Sequence, residues 1–132
     1  MAENQKPLSL DEVILLINKI DKWEEKIEFV GLAISREYKY FRGIIDGIAI
    51  NVTRVPSFIL SDTYFIELTT DKELEHSKKR VPLEFYREKG GKGMLASLYN
   101  SISLKVDQQE HQIYENIRKE NTEKIRSLLH QL

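Results

Sequence analysis

The fifteen residues from Tyr40 to Arg54, YFRGIIDGIAINVTR, decide the fold. At their centre Asp46-Gly47 is a two-residue type I′ turn sequence, in which both positions need positive φ and aspartate and glycine tolerate it. Folding back there sets Ile45 opposite Ile48, Gly43 opposite Ile50 and Phe41 opposite Val52, so the large apolar side chains of these pairs share one face. The other face carries Tyr40, Arg42, Ile44, Ala49, Asn51 and Thr53 and is far more polar. An antiparallel hairpin with one core-facing side follows.

Downstream, Val55-Pro56-Ser57 breaks the second strand, because proline cannot donate to a ladder. Thr63 to Thr69 alternates again, with Tyr64, Ile66 and Leu68 on one side and Phe65 and Glu67 on the other. Val81, Leu83 and Phe85 alternate with Pro82, Glu84 and Tyr86, which predicts a further strand at an edge, where proline is tolerated. After Gly90-Gly91-Lys92-Gly93, the spacing of Met94, Leu95, Leu98 and Ile102 predicts a short helix. Asp107-Gln108-Gln109-Glu110 reads as the cap of a second, last helix.

Upstream, Ser9-Leu10-Asp11-Glu12 is a capping box. Val13, Leu16, Ile17, Ile20 and Trp23 follow at steps of three and four, which predicts a helix running to about Glu25. Residues 27–35 fit either a short strand or a helical continuation. The expected architecture is one α+β domain over residues 1–132: an N-terminal helix, an antiparallel meander of three to four strands, and two C-terminal helices packed on one sheet face. Hairpin connections argue against a parallel βαβ nucleotide fold.

The chain of 132 residues is 41% hydrophobic and 31% charged, and 20 basic residues against 21 acidic ones leave a net charge of −1. That balance supplies no general attraction to nucleic acid or to an anionic membrane. With no cysteine there is no disulfide framework, thiol nucleophile or CxxC chemistry. The apolar run near the N-terminus is interrupted by Asp11, Glu12, Asn18 and Lys19, unlike a signal peptide, so a cytoplasmic protein without membrane partners is expected.

No residue takes a catalytic role from the sequence. HExxH, GxSxG and EF-hand patterns are missing. His111 and His130, on one predicted helix, stand about 28 Å apart along its axis and cannot share a metal. Neither a metal nor a cofactor is expected. The glycine loop resembles a phosphate cradle in its glycines and in Lys89 and Lys92, but a Walker A motif ending at Gly91-Lys92 needs glycine at position 86 and a hydroxyl at 93, where the chain has Tyr86 and Gly93. A phosphoryl-ligand enzyme there is the weakest functional reading.

Two surfaces carry the stronger readings. The polar sheet face would gather Tyr40, Arg42, Asn51, Thr53, Phe65, Glu67 and Tyr86, a set rich in the aromatic and arginine anchors of protein interfaces. The leading expectation is therefore a non-enzymatic protein-interaction module, a small regulator, adaptor or immunity-type binder. The alternative is nucleic-acid binding through the basic 78–92 stretch, with Lys78, Lys79, Arg80, Arg87, Lys89 and Lys92 against Glu84 and Glu88. A secondary expectation is a homodimer through the C-terminal helix. There Asn121 lies on the apolar stripe between Ile113 and Ile125, and a polar stripe residue can fix the register of a helix pair.

Overall fold

The computed structural model describes residues 6–30, 36–57 and 60–132. Around the Asp46-Gly47 turn, both residues take positive φ, 47° and 77°, as a type I′ turn requires. This turn joins β2 (Arg36–Ile45) to β3 (Ile48–Val55) in the register read from the sequence, with Phe41 opposite Val52 and Gly43 opposite Ile50. β4 (Thr63–Thr70) and β5 (Pro82–Lys89) extend the meander on one side. On the other side lies β1 (Glu24–Val30), giving a five-stranded antiparallel sheet in the order β1-β2-β3-β4-β5.

That fifth strand corrects the expected three to four, and it corrects the first helix as well. α1 covers only Leu10–Ile17, with the capping box formed as expected: the Glu12 amide donates to Ser9 Oγ and the Ser9 amide to Glu12 Oε1. The helix winds down at Asn18, where the Lys19 and Ile20 amides donate three residues back, to Leu16 and Ile17. Ile20 and Trp23 still reach the core, so the apolar spacing was sound although the helix did not continue. From Glu24 the long β2 offers a free edge, and pairing with it outweighs a weak local helix preference. Of residues 27–35, those up to Val30 are strand and 31–35 lie outside the described residues.

The two expected C-terminal helices are one, α2, running from Met94 to His130. Asp107-Gln108-Gln109-Glu110 is helix interior, because a capping pattern needs a chain break before it, and neither glycine nor proline stands between Met94 and Glu110. Buried Ile102 and Val106 carry the stripe straight through the expected gap.

A single core lies on one sheet face. Phe41, Ile50, Val52, Tyr64, Ile66 and Leu68 pack beneath Val13 and Ile17 of α1 and beneath Leu95, Tyr99, Ile102 and Val106 of α2. The Tyr99 ring sits 5.1 Å from that of Phe41 and 5.7 Å, edge-on, from that of Tyr64. Both helices therefore cover the same face, and neither lies over the other.

Candidate interaction face

The strand registers turn the face opposite the helices into a grid. One row crosses the sheet as Glu24, Arg42, Asn51, Glu67 and Phe85, and the next as Lys26, Tyr40, Thr53, Phe65 and Arg87. Residues directly opposite one another point the same way, so each row is a set of touching neighbours. Six of the seven residues expected to gather here do so: Tyr40, Arg42, Asn51, Thr53, Phe65 and Glu67. Tyr86 does not. It pairs with Ile66 on the core side, packs against the core, and its hydroxyl donates to the Leu8 carbonyl.

Phe85 and Arg87 take the place expected for Tyr86. The rings of Phe85 and Phe65 are 5.5 Å apart, and the Arg87 guanidinium lies 5.9 Å from the Phe65 ring centre, within cation–π range. Across the face, Tyr38 and Tyr40 lie with ring centres 6.3 Å apart. Both donate to one carboxylate on the edge strand, Tyr38 to Glu28 Oε2 at 2.6 Å and Tyr40 to Glu28 Oε1 at 3.1 Å. The Glu28 bond, with burial and the carboxylate's charge behind it, pushes the Tyr38 phenol up to about 12. Burial, then Glu28, raises Tyr40 as well, against the opposing charges of Arg42 and Arg80.

The middle of the grid is partly buried although no helix covers it. Arg42 forms an ion pair with Asp71 at 3.2 Å, its side chain only 14% exposed. Beside it Ala49 and Thr69 are buried. Among the described residues, Arg42 Nε, Asn51 Oδ1 and Thr69 Oγ1 are buried without a hydrogen-bond partner. Such atoms cost free energy unless water satisfies them.

The basic residues do not form one patch. Lys78, Lys79 and Arg80 lie in the β4–β5 connection before Pro82, whereas Lys89 closes β5 and Lys92 follows it. The length of β5 separates the two groups by about 23 Å. Arg87 and Lys89, two residues apart on β5, share the face.

The glycine loop is already filled. Glu88 Oε1 accepts from the Leu95 amide at 3.1 Å, so the chain's own carboxylate takes the anion position at the start of α2. A Cβ on Gly93 would stand 1.7 Å from that oxygen, which explains the glycine without a ligand. Among the described residues no group of three or more His, Asp or Glu side chains could hold a metal. No described helix is long and apolar enough to cross a membrane.

Sequence reasoning missed Glu28, Tyr38, Phe85 and Arg87 as members of the face. Tyr38 was reachable, since it lies two residues before Tyr40 in an alternating run. Glu28 depends on β1, which only tertiary pairing creates. The side to which β5 turns Phe85 and Arg87 is set across a long connection, Asp71 to Val81, with a register shift between Leu68 and Thr69, and no short turn fixes it. The chain matches no family model, no curated protein and no solved structure.

Proposed function

We propose that this protein is a non-enzymatic protein-interaction module that binds its partner across the helix-free sheet face. The observation that carries the reading is the pair of aromatic clusters on that face. Tyr38 and Tyr40 are held by Glu28, and Phe65 and Phe85 are flanked by Arg87. Between them lie the half-buried polar side chains of Arg42, Asn51 and Thr53. Rigid aromatics around a polar centre are the composition of interface anchors. An adaptor or immunity-type role needs no catalytic group.

Nucleic-acid binding has less support. Glu24, Glu28, Glu67 and Asp71, which pairs with Arg42, stand among Lys26, Arg42, Arg87 and Lys89 on the same face, so it carries no excess of positive charge to follow a phosphate backbone. The phosphoryl-ligand reading competes with Glu88, which already accepts from the Leu95 amide.

The test is affinity enrichment with the wild type and with a Phe65→Ala, Arg87→Glu double variant, followed by cross-linking mass spectrometry. Cross-links from the partner should fall on Lys26 or Lys89, both on this face, and should vanish in the variant while its unfolding curve stays cooperative. Cross-links unaffected by the double variant sink the reading. Retention of labelled single-stranded DNA or RNA, falling along a log-log line with salt, would replace it with the nucleic-acid alternative.

A further inference from the structure

Among the described residues, the second half of α2 lies in the open. Val106 is its last buried residue, and every residue from Glu110 onward is exposed. Yet this free helix is not polar. Ile113, Tyr114, Ile117, Ile125, Leu128 and Leu129 are each between 54% and 63% exposed. At 100° per residue they fall on one side, in line with Tyr99 and Val106 of the packed half. The apolar stripe that seats α2 on the sheet thus continues beyond the sheet's end.

The stripe is palindromic about Asn121. Its apolar residues stand four, seven and eight positions before Asn121, at Ile117, Tyr114 and Ile113. They recur four, seven and eight positions after it, at Ile125, Leu128 and Leu129. We propose that the protein forms a homodimer in which α2 pairs antiparallel with α2 of a second copy, the two-fold axis passing at Asn121. Ile117 then meets the partner's Ile125, Tyr114 meets Leu128 and Ile113 meets Leu129, over about 24 Å of helix. A self-complementary patch of this kind is what a two-fold interface demands.

Charge agrees with the same register. In an antiparallel pair like flanks adjoin, which brings Glu120 of each chain within about 3 Å of axial height of Lys124 on the other, twice per dimer. Asn121, now donating to the Ile117 carbonyl at 2.8 Å, would face its own copy on the axis. A buried asparagine at one stripe position selects a single register at some cost in stability.

The experiment is sedimentation of the full chain over a concentration series, together with single-cysteine variants of a protein that has no cysteine of its own. Twice the 15.5 kDa monomer mass should accumulate with concentration. Ile117→Asp should weaken association at least about tenfold while leaving the domain folded, since Ile117 lies on the exposed half of α2, outside the core. Mixing Ile117→Cys with Ile125→Cys and oxidising should give the mixed disulfide, whereas Ile117→Cys alone should give none, its two copies being about 12 Å apart along the pair. A monomer at every concentration overturns the proposal. A disulfide formed by Ile117→Cys alone overturns it too, in favour of a parallel pair. So does a monomer whose stripe binds anionic lipid vesicles or another protein only.

Discussion

At Gly43 the side chain matters by its absence. Ile20 and Trp23 cross the core side of β2 so closely that a Cβ there would lie 2.8 Å from Ile20 Cγ2 and 2.9 Å from Trp23 Cζ3. Both neighbours are buried and cannot swing into solvent. Gly43→Ala should therefore destabilise the fold by about 1–3 kcal/mol, the cost of overpacking a filled core, as read by urea denaturation. A neutral outcome would mean that Ile20 and Trp23 give way to a methyl group at position 43. Gly93 is different, because the atom it makes room for is the far end of Glu88. Glu88→Ala should cost about 1 kcal/mol in the native chain, the worth of a helix cap, and close to nothing in a Gly93→Ala background where the carboxylate is already displaced. Gly93→Ser should recover the loss by capping α2 with its own hydroxyl, since residue 93 holds the extended backbone of an N-cap. A double-mutant cycle by denaturation measures the coupling.

Elements show how far local signals reach. The β2–β3 hairpin was legible to the register, because a two-residue turn with positive φ and a period of two admits one pairing. The start of α1 was equally legible in its capping box, but its end was not, since the stripe from Val13 to Trp23 serves a helix and the turn after it alike. β1 is charged along most of its length and becomes a strand only where β2 has an unpaired edge. The consequence is testable through Glu28, which that strand carries to the two tyrosines. Removing its charge in Glu28→Gln should bring the Tyr38 phenol from about 12 back toward the ordinary 10.0, as followed by ultraviolet titration. The sign for stability follows from the direction. A phenol raised on folding contributes stability that is fully present below its unfolded value and fades as pH rises through the folded one, so the wild type should outlast the variant most at neutral pH and lose that lead near pH 12. No change in the tyrosine titration would detach β1 from its assigned place.

Taken whole, the molecule divides its surface by side. The core face is closed by α1 and the first half of α2, the opposite face presents the aromatic grid, and the second half of α2 carries an apolar stripe into solvent. Pairing through that stripe would use none of the grid residues, so a dimer would offer two copies of the face at once, and binding to a repeated partner would gain from linkage without new contacts. Stability should divide the same way. Because nothing from Glu110 onward is buried, and Gln109, which bonds the Asp21 carbonyl at 2.6 Å, precedes it, a chain ending at Glu110 should unfold cooperatively at the monomer's own midpoint. The full chain should differ in one respect: its thermal midpoint should climb with protein concentration, as mass action requires of a folded dimer, while that of the shortened chain stays fixed. Calorimetry at several concentrations reads both. A full-length midpoint independent of concentration would leave the free half of α2 without a self-partner, and a lower, concentration-independent midpoint after truncation would show that this half stabilises the domain it leaves.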